Sequence, residues 1–256
     1  MDKTLIYLSW SDLVYYPTFL LMTSTYQKPF VKILGRFISE FFRFSRSHQI
    51  PWQALSEFPV YYRYNQSIKQ PADVGLPWIS HGALVHLQNF IKPEMKVLEF
   101  GCGGSTLFFA RHASQVISVE DDPGWFEIMT EKTKSFPGVM IRHFPVDPVY
   151  VGGEFASNMA EIATTHSYQS YVFGASDIEE ASMDILVIDG RARVGCLRHN
   201  LSKLKRDGIV LFDNTDRIAY KKGIEELLSD WLRFDYSGVT VHDPYFNKTS
   251  IFSRKK

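Results

Sequence analysis

From Lys96 onward the chain alternates two hydrophobic patterns. Short apolar runs mark strands at Lys96 to Phe100, Val116 to Glu120, Val139 to Phe144, Asp184 to Ile188 and Ile209 to Phe212. Between them apolar residues recur at three- and four-residue steps, the spacing of one helix face. Leu107, Phe108, Phe109 and Ala110 follow the first strand, with Ser105 as the expected helix cap. Asp122 and Pro123 read as the N-cap and first helical residue of the next helix. Val194, Leu197, Leu201 and Leu204 form a later stripe, and Asp207-Gly208 reads as the turn into the fifth strand. Ile224, Leu227, Leu228 and Trp231 supply a last helix. Two closing β segments, near 234–242 and 248–253, are joined through Asp243-Pro244 and imply an antiparallel hairpin at one edge. Repeated β-α units predict a doubly wound α/β fold, with a mostly parallel sheet covered by helices on both faces.

Residues 1–70 have another character. They are crowded with aromatics, and Phe30, Ile33, Leu34, Phe37, Ile38, Phe41 and Phe42 mark a strongly amphipathic helix. We expect this extension to pack on the main domain, residues 71–256, as a cover. Peripheral docking on a membrane or a partner through the same stripe is the alternative. Pro71 and Gly75-Leu76-Pro77 punctuate the boundary. The apolar run Leu13 to Met22 is broken by Pro17 and falls well short of the ~20 residues a spanning helix needs, so no membrane crossing is expected.

Composition narrows the partners. Of 256 residues, 28 are Lys or Arg and 28 are Asp or Glu, giving zero net charge. A chain built to grip phosphate backbones needs a basic excess, so no nucleic acid is expected. Cys102 and Cys196 form no CxxC pair, and a reducing, cytoplasmic setting is expected. An oligomer stays open.

The chemistry sits where such sheets bind ligands, beyond the carboxyl ends of the strands. After the first strand comes Glu99-Phe100-Gly101-Cys102-Gly103-Gly104-Ser105, a turn whose glycines admit a ligand to the backbone. Glu120 ends the second strand at about the ~20-residue distance where a ribose-binding acid belongs. A dinucleotide or S-adenosylmethionine fits this pairing. The third glycine of the dinucleotide pattern is missing, and Glu99 beside the turn suits a cationic ligand better than a pyrophosphate.

VLEFGCGGST, VISVEDDPGW and DILVIDG together resemble the class I S-adenosylmethionine-dependent methyltransferases, over roughly residues 76–256. The resemblance implies a Rossmann-like sheet of order 3-2-1-4-5-7-6. It implies that Glu99, Gly101, Cys102, Gly103 and Ser105 line the methionine portion of the cofactor and that Glu120 binds the ribose. Asp121 would border the adenosine and Asp147 would face the adenine.

Candidates for the transfer itself follow the fourth and fifth strands. Asp189, Asp213 and Asn214 resemble the magnesium ligands of cation-dependent O-methyltransferases, a set of hard oxygen donors. Ala192 stands where that group carries a lysine. Asp189 is therefore expected as base or orienting group, and Arg191, with Arg193, as a clamp for an anionic acceptor. The expected activity is O-methylation of a small molecule or glycan. An NAD(P)-dependent reductase and a non-catalytic cofactor-binding module are the alternatives.

Overall fold

The computed structural model describes residues 28–46, 52–66, 71–149, 151–157 and 166–255. The run Leu13 to Met22 lies outside them. No helix among the described residues is long and apolar enough to cross a membrane.

Seven strands form one sheet: β1 (Lys96–Phe100), β2 (Gln115–Glu120), β3 (Val139–His143), β4 (Met183–Ile188), β5 (Leu204–Phe212), β6 (Leu232–Gly238) and β7 (Asn247–Ser253). Their order is β3-β2-β1-β4-β5-β7-β6. The first five run parallel, and β7 is antiparallel to both β5 and β6. This is the order and the edge hairpin expected from sequence. The central strands are apolar on both faces because helices cover both. Leu98, Phe100, Leu186, Ile188, Val210 and Phe212 point into one buried cluster, and Val97, Ile185, Val187, Ile209 and Leu211 into another.

The helices are α1 (Phe30–Ser45), α2 (Phe58–Asn65), α3 (Pro71–Val74), α4 (His81–Phe90), α5 (Gly104–His112), α6 (Pro123–Thr133), α7 (Gln169–Val172), α8 (Arg193–Asn200) and α9 (Ile218–Leu228). Asp122 caps α6 as expected, accepting the Trp125 backbone N–H at 2.7 Å. Ser105 does not cap α5. The helix begins one residue earlier, and the Thr106 hydroxyl accepts the N–H of Gly103 at 2.9 Å. Leu204 is likewise the first residue of β5 and not the end of a helical stripe. The strand runs on through Asp207 and Gly208, since Gly208 lies too close to the Asp184 carbonyl for any side chain.

α1 is amphipathic, but its buried face is narrower than its apolar stripe. Ile33, Phe37, Phe41 and Phe44 pack with Tyr61 of α2 and with Val239 and Phe246, which flank the β6–β7 connection. Phe30, Ile38 and Phe42 face outward, while Glu40 is buried and accepts the Phe246 N–H at 3.3 Å. A helix lying along an edge buries one side only, and here a carboxylate takes a position on that side. The β6–β7 connection stands beyond the carboxyl end of β5, because Phe212 pairs with Ser250. α1 and α2 therefore sit at the ligand-binding end of the sheet.

Candidate functional site

Glu99 is the penultimate residue of β1, with its side chain fully buried. Its Oε2 accepts the hydroxyls of Thr106 at 2.6 Å and Ser118 at 2.5 Å. Its Oε1 is buried and forms no hydrogen bond of good geometry among the described residues, although the Ser105 hydroxyl stands near the carboxylate. Burial pushes this carboxyl up to about 7, against the pull of the neighbouring hydroxyls. A poorly satisfied carboxylate oxygen in a dry site is costly, and a bound cationic group would satisfy it.

The turn after β1 is shaped by close approach. Gly101 has φ +96°, and a Cβ there would lie 2.9 Å from the Gly190 Cα. Nothing stands within 4 Å of a Cβ on Gly103, whose φ of 171° is ordinary extended backbone. Gly101 is thus required by the fold, whereas Gly103 borders open space. The Cys102 N–H donates to Glu120 Oε2 at 3.0 Å, and the Cys102 carbonyl accepts the Trp125 indole N–H at 2.8 Å. Burial raises the Cys102 thiol, which disfavours the thiolate.

Glu120 ends β2. Its Oε1 accepts the Asp122 N–H at 2.9 Å, so each oxygen takes one backbone donor and keeps a lone pair for a ligand hydroxyl. Burial raises this carboxyl too. Asp121 beside it is ion-paired to Arg191 at 3.1 Å, tying the end of β2 to the loop after β4. Arg191 thus meets Asp121 through its Nε, an ion pair that the sequence reading did not anticipate.

Asp147 is engaged within its own segment. Its carboxylate accepts the N–H groups of Gln169 and Ser170 at the start of α7. It serves the segment after β3 as a helix cap, because those exposed donors have no intrahelical partner. Tyr168 and Tyr171, in the segment between β3 and β4, are core residues. Tyr171 packs on Phe100, with its hydroxyl beneath Gly190.

At the ends of β4 and β5, Asp189 and Asp213 converge as expected, but on a guanidinium. Ala192 takes a left-handed conformation, φ 42°, and opens α8 so that Arg193 folds back between the two acids. Its Nε donates to the Gly190 carbonyl at 3.0 Å. One terminal nitrogen donates to the Asp213 carbonyl at 2.6 Å, the other to the Asp189 carbonyl at 2.8 Å, and the latter pairs with Asp189 Oδ1 at 2.9 Å. Asp213 Oδ1 accepts Thr249 Oγ1 at 2.5 Å and Asn247 Nδ2 at 3.1 Å. Burial and the adjacent Asp189 push Asp213 up, and burial raises Asp189 against the pull of Arg193.

These residues do not fit magnesium, which wants oxygen ligands in a near-octahedral shell at ~2.0–2.1 Å. The expected set Asp189, Asp213 and Asn214 fails because a side-chain cation already lies between the acids. Asn214 contributes a left-handed backbone turn, φ 55°. Among the described residues no group of three or more His, Cys, Asp or Glu is arranged to hold a metal. Asp213 is 3% exposed and Asp189 23%, so Asp189 presents the open carboxylate face.

Sequence reasoning missed Thr106, Ser118, Asn247 and Thr249, the side chains that hold the two buried acids. The signal for Ser118 was available: it is a lone hydroxyl inside an otherwise apolar strand, and a buried hydroxyl needs a partner.

No protein-family model matches the sequence, and no curated protein matches it. Solved structures do resemble it. A methyltransferase-like protein from Silicibacter pomeroyi DSS-3 is 22% identical over 68% of this chain and 86% of that one, with TM-score 0.43. An rRNA methylase from Streptococcus thermophilus is 11% identical over 74% of this chain and 99% of that one, with TM-score 0.48. A Streptococcus mutans protein solved in complex with SAH is 11% identical over 73% and 99%, with TM-score 0.46. The presence of an rRNA methylase among them corrects the exclusion of nucleic acid, which zero net charge does not justify. At such identities the likeness is one of fold and assigns no residue a role. The strand order itself is that of the Rossmann-like class I S-adenosylmethionine-dependent methyltransferases.

Proposed function

We propose that the protein is an S-adenosylmethionine-dependent methyltransferase acting on an acceptor hydroxyl, with a small molecule or glycan as the finer reading. The observation that carries it is Glu99 Oε1, a buried carboxylate oxygen that forms no hydrogen bond of good geometry among the described residues, beside the open side of Gly103. A cofactor with an ammonium and a sulfonium and no phosphate suits that pair better than a dinucleotide does.

Glu99 would hold the methionine ammonium, the Gly101–Gly103 turn would lie along the cofactor, and Glu120 would accept the ribose hydroxyls. When bound, the cofactor supplies an electrophilic methyl group. The chain's own part is orientation and proton handling. Asp189, 23% exposed just after β4, would orient the acceptor hydroxyl and take its proton as the oxygen is alkylated. Beside Asp213, Asn247 Oδ1 is buried with no partner among the described residues, which suits a hydroxyl donor on the acceptor. Arg193 keeps Asp189 in place, and α1 and α2 flank this end of the sheet and limit water.

The test has two parts. Calorimetry should show binding of S-adenosylmethionine and no binding of NADH, with Glu120→Ala at least about tenfold weaker. Labelled cofactor should then be offered with hydroxylated small molecules, glycans and RNA. NADH binding would sink the assignment, and label appearing in RNA alone would sink the finer reading.

A further inference from the structure

We infer that the site between Asp189 and Asp213 is built for the Arg193 guanidinium and takes no divalent cation. This deepens the proposed methyltransferase reading, since it concerns the same transfer site.

The case rests on how completely the guanidinium is used. All three of its nitrogens donate: Nε to Gly190, one terminal nitrogen to Asp213 and the other to Asp189, each through a backbone carbonyl. These carbonyls come from the ends of two neighbouring strands, so the acceptor set is fixed by the sheet. It lies as a fork suits it, in the directions a planar guanidinium offers. A hard cation would need the same volume filled by oxygens converging on one point.

The carboxylates are engaged around that cation as well. Asp189 Oδ1 meets Arg193 at 2.9 Å, and Asp213 Oδ2 lies 3.9 Å from it. Asp213 Oδ1 is turned away toward Thr249 and Asn247 of β7. For a metal to enter, a guanidinium only 8% exposed would have to leave three carbonyls and an ion pair. The left-handed Ala192 shows that the backbone accommodates this arrangement, since a non-glycine residue in that region costs energy that its surroundings must offset. A buried side-chain cation balances the acids here from within the chain.

Manganese, observed by electron paramagnetic resonance, is the probe, with the full chain saturated with S-adenosylhomocysteine. The expected result is that millimolar manganese keeps its free six-line signal. Stoichiometric loss of that signal, reversed by magnesium, would overturn the inference.

Arg193→Met and Arg193→Lys provide the second measurement. Arg193→Met should lower Tm by on the order of 10 °C and gain neither manganese binding nor rescue by magnesium, because the splayed carbonyls offer a hard cation no converging shell. Arg193→Lys should lose less and gain no manganese site. An Arg193→Met protein that is as stable as wild type would overturn the inference. If that variant does not fold, the wild-type resonance decides alone. Calorimetry on the same wild-type samples separates the two claims: absent cofactor binding sinks the methyltransferase reading and leaves the manganese result standing.

Discussion

Gly101 and Gly190 meet where β1 and β4 end, so closely that a Cβ on Gly101 would stand 2.9 Å from the Gly190 Cα. A Cβ on Gly190 would in turn run into the Tyr171 hydroxyl. Gly103, two residues from Gly101, has no such neighbour. The two glycines of one turn therefore separate folding from ligand binding. Gly101→Ala should destabilise the protein by about 2 kcal/mol or more, a fall in Tm of roughly 4–8 °C. Gly103→Ala should leave Tm within about 2 °C, yet weaken S-adenosylmethionine because its methyl enters the open side of the turn. Differential scanning calorimetry beside titration calorimetry reads both, and equal behaviour of the two variants would refute the distinction.

Under the proposed function, in which Glu99 holds the cofactor's ammonium, affinity should depend on pH. In the free protein its carboxyl stands at about 7 because it is buried. A cationic ligand favours the ionised form, so binding at pH 6 must release a proton and binding at pH 8 need not. Affinity for S-adenosylhomocysteine should rise from pH 6 to 8. Heats measured in buffers of different ionisation enthalpy should show proton release only at the lower pH. Glu99→Gln should bind roughly 10–100-fold more weakly and lose the pH dependence. Unchanged affinity in that variant would show that Oε1 meets no ligand.

Glu57 carries a pH dependence of stability that is independent of the ligand. Its carboxyl is buried under the β6–β7 connection, accepts the Val239 N–H at 3.3 Å, and is pushed up to about 7 by burial. The native state holds this proton where the unfolded chain, with an ordinary glutamate near 4.5, has released it. The associated stability is full below pH 4.5 and is lost as pH rises through 7, by about 3 kcal/mol at most. Denaturant unfolding should therefore show the unliganded protein less stable at pH 8 than at pH 5. Glu57→Gln should make that slope shallower, the remainder coming from other buried acids such as Glu99 and Asp213, and the same slope in both proteins would contradict the assignment.

The two sides of α1 should respond differently. Phe37 is 2% exposed and contacts Phe58, Tyr61 and Phe246, whereas Phe42 is 55% exposed. Phe37→Ala should cost about 3–5 kcal/mol and Phe42→Ala less than about 1. Urea unfolding measures both. Comparable losses would mean that α1 buries a broader face than its contacts show.

What was legible in the chain was what its neighbours in sequence decide. The strand at Lys96, the Asp122-Pro123 helix start and the glycine turn each depend on a few adjacent residues. They were read correctly from propensity and spacing. The partners of Asp147 were not legible, because Gln169 and Ser170 lie more than 20 positions away in sequence. Arg193 was set beside Arg191 as one clamp, although one residue of left-handed backbone sends Arg191 to Asp121 and Arg193 between two acids. That separation turns on Ala192, and alanine gives no warning of a positive φ. Glu40 was invisible for a similar reason: its place on the buried side of α1 depends on an N–H more than 200 positions away.

Phe246 and Asn247 are consecutive residues with different allegiances. The first is gripped by the N-terminal helices, through Glu40 and the rings of Phe37, Phe44 and Tyr61. The second donates to Asp213. A single peptide link thus separates the seat of the extension from an acid of the transfer site. It follows that the extension is no interchangeable module. A chimera that grafts foreign helices ahead of residue 71 would reposition the start of β7, and with it Asp213. The two halves of the chain are thus expected to be inherited, and engineered, as one piece.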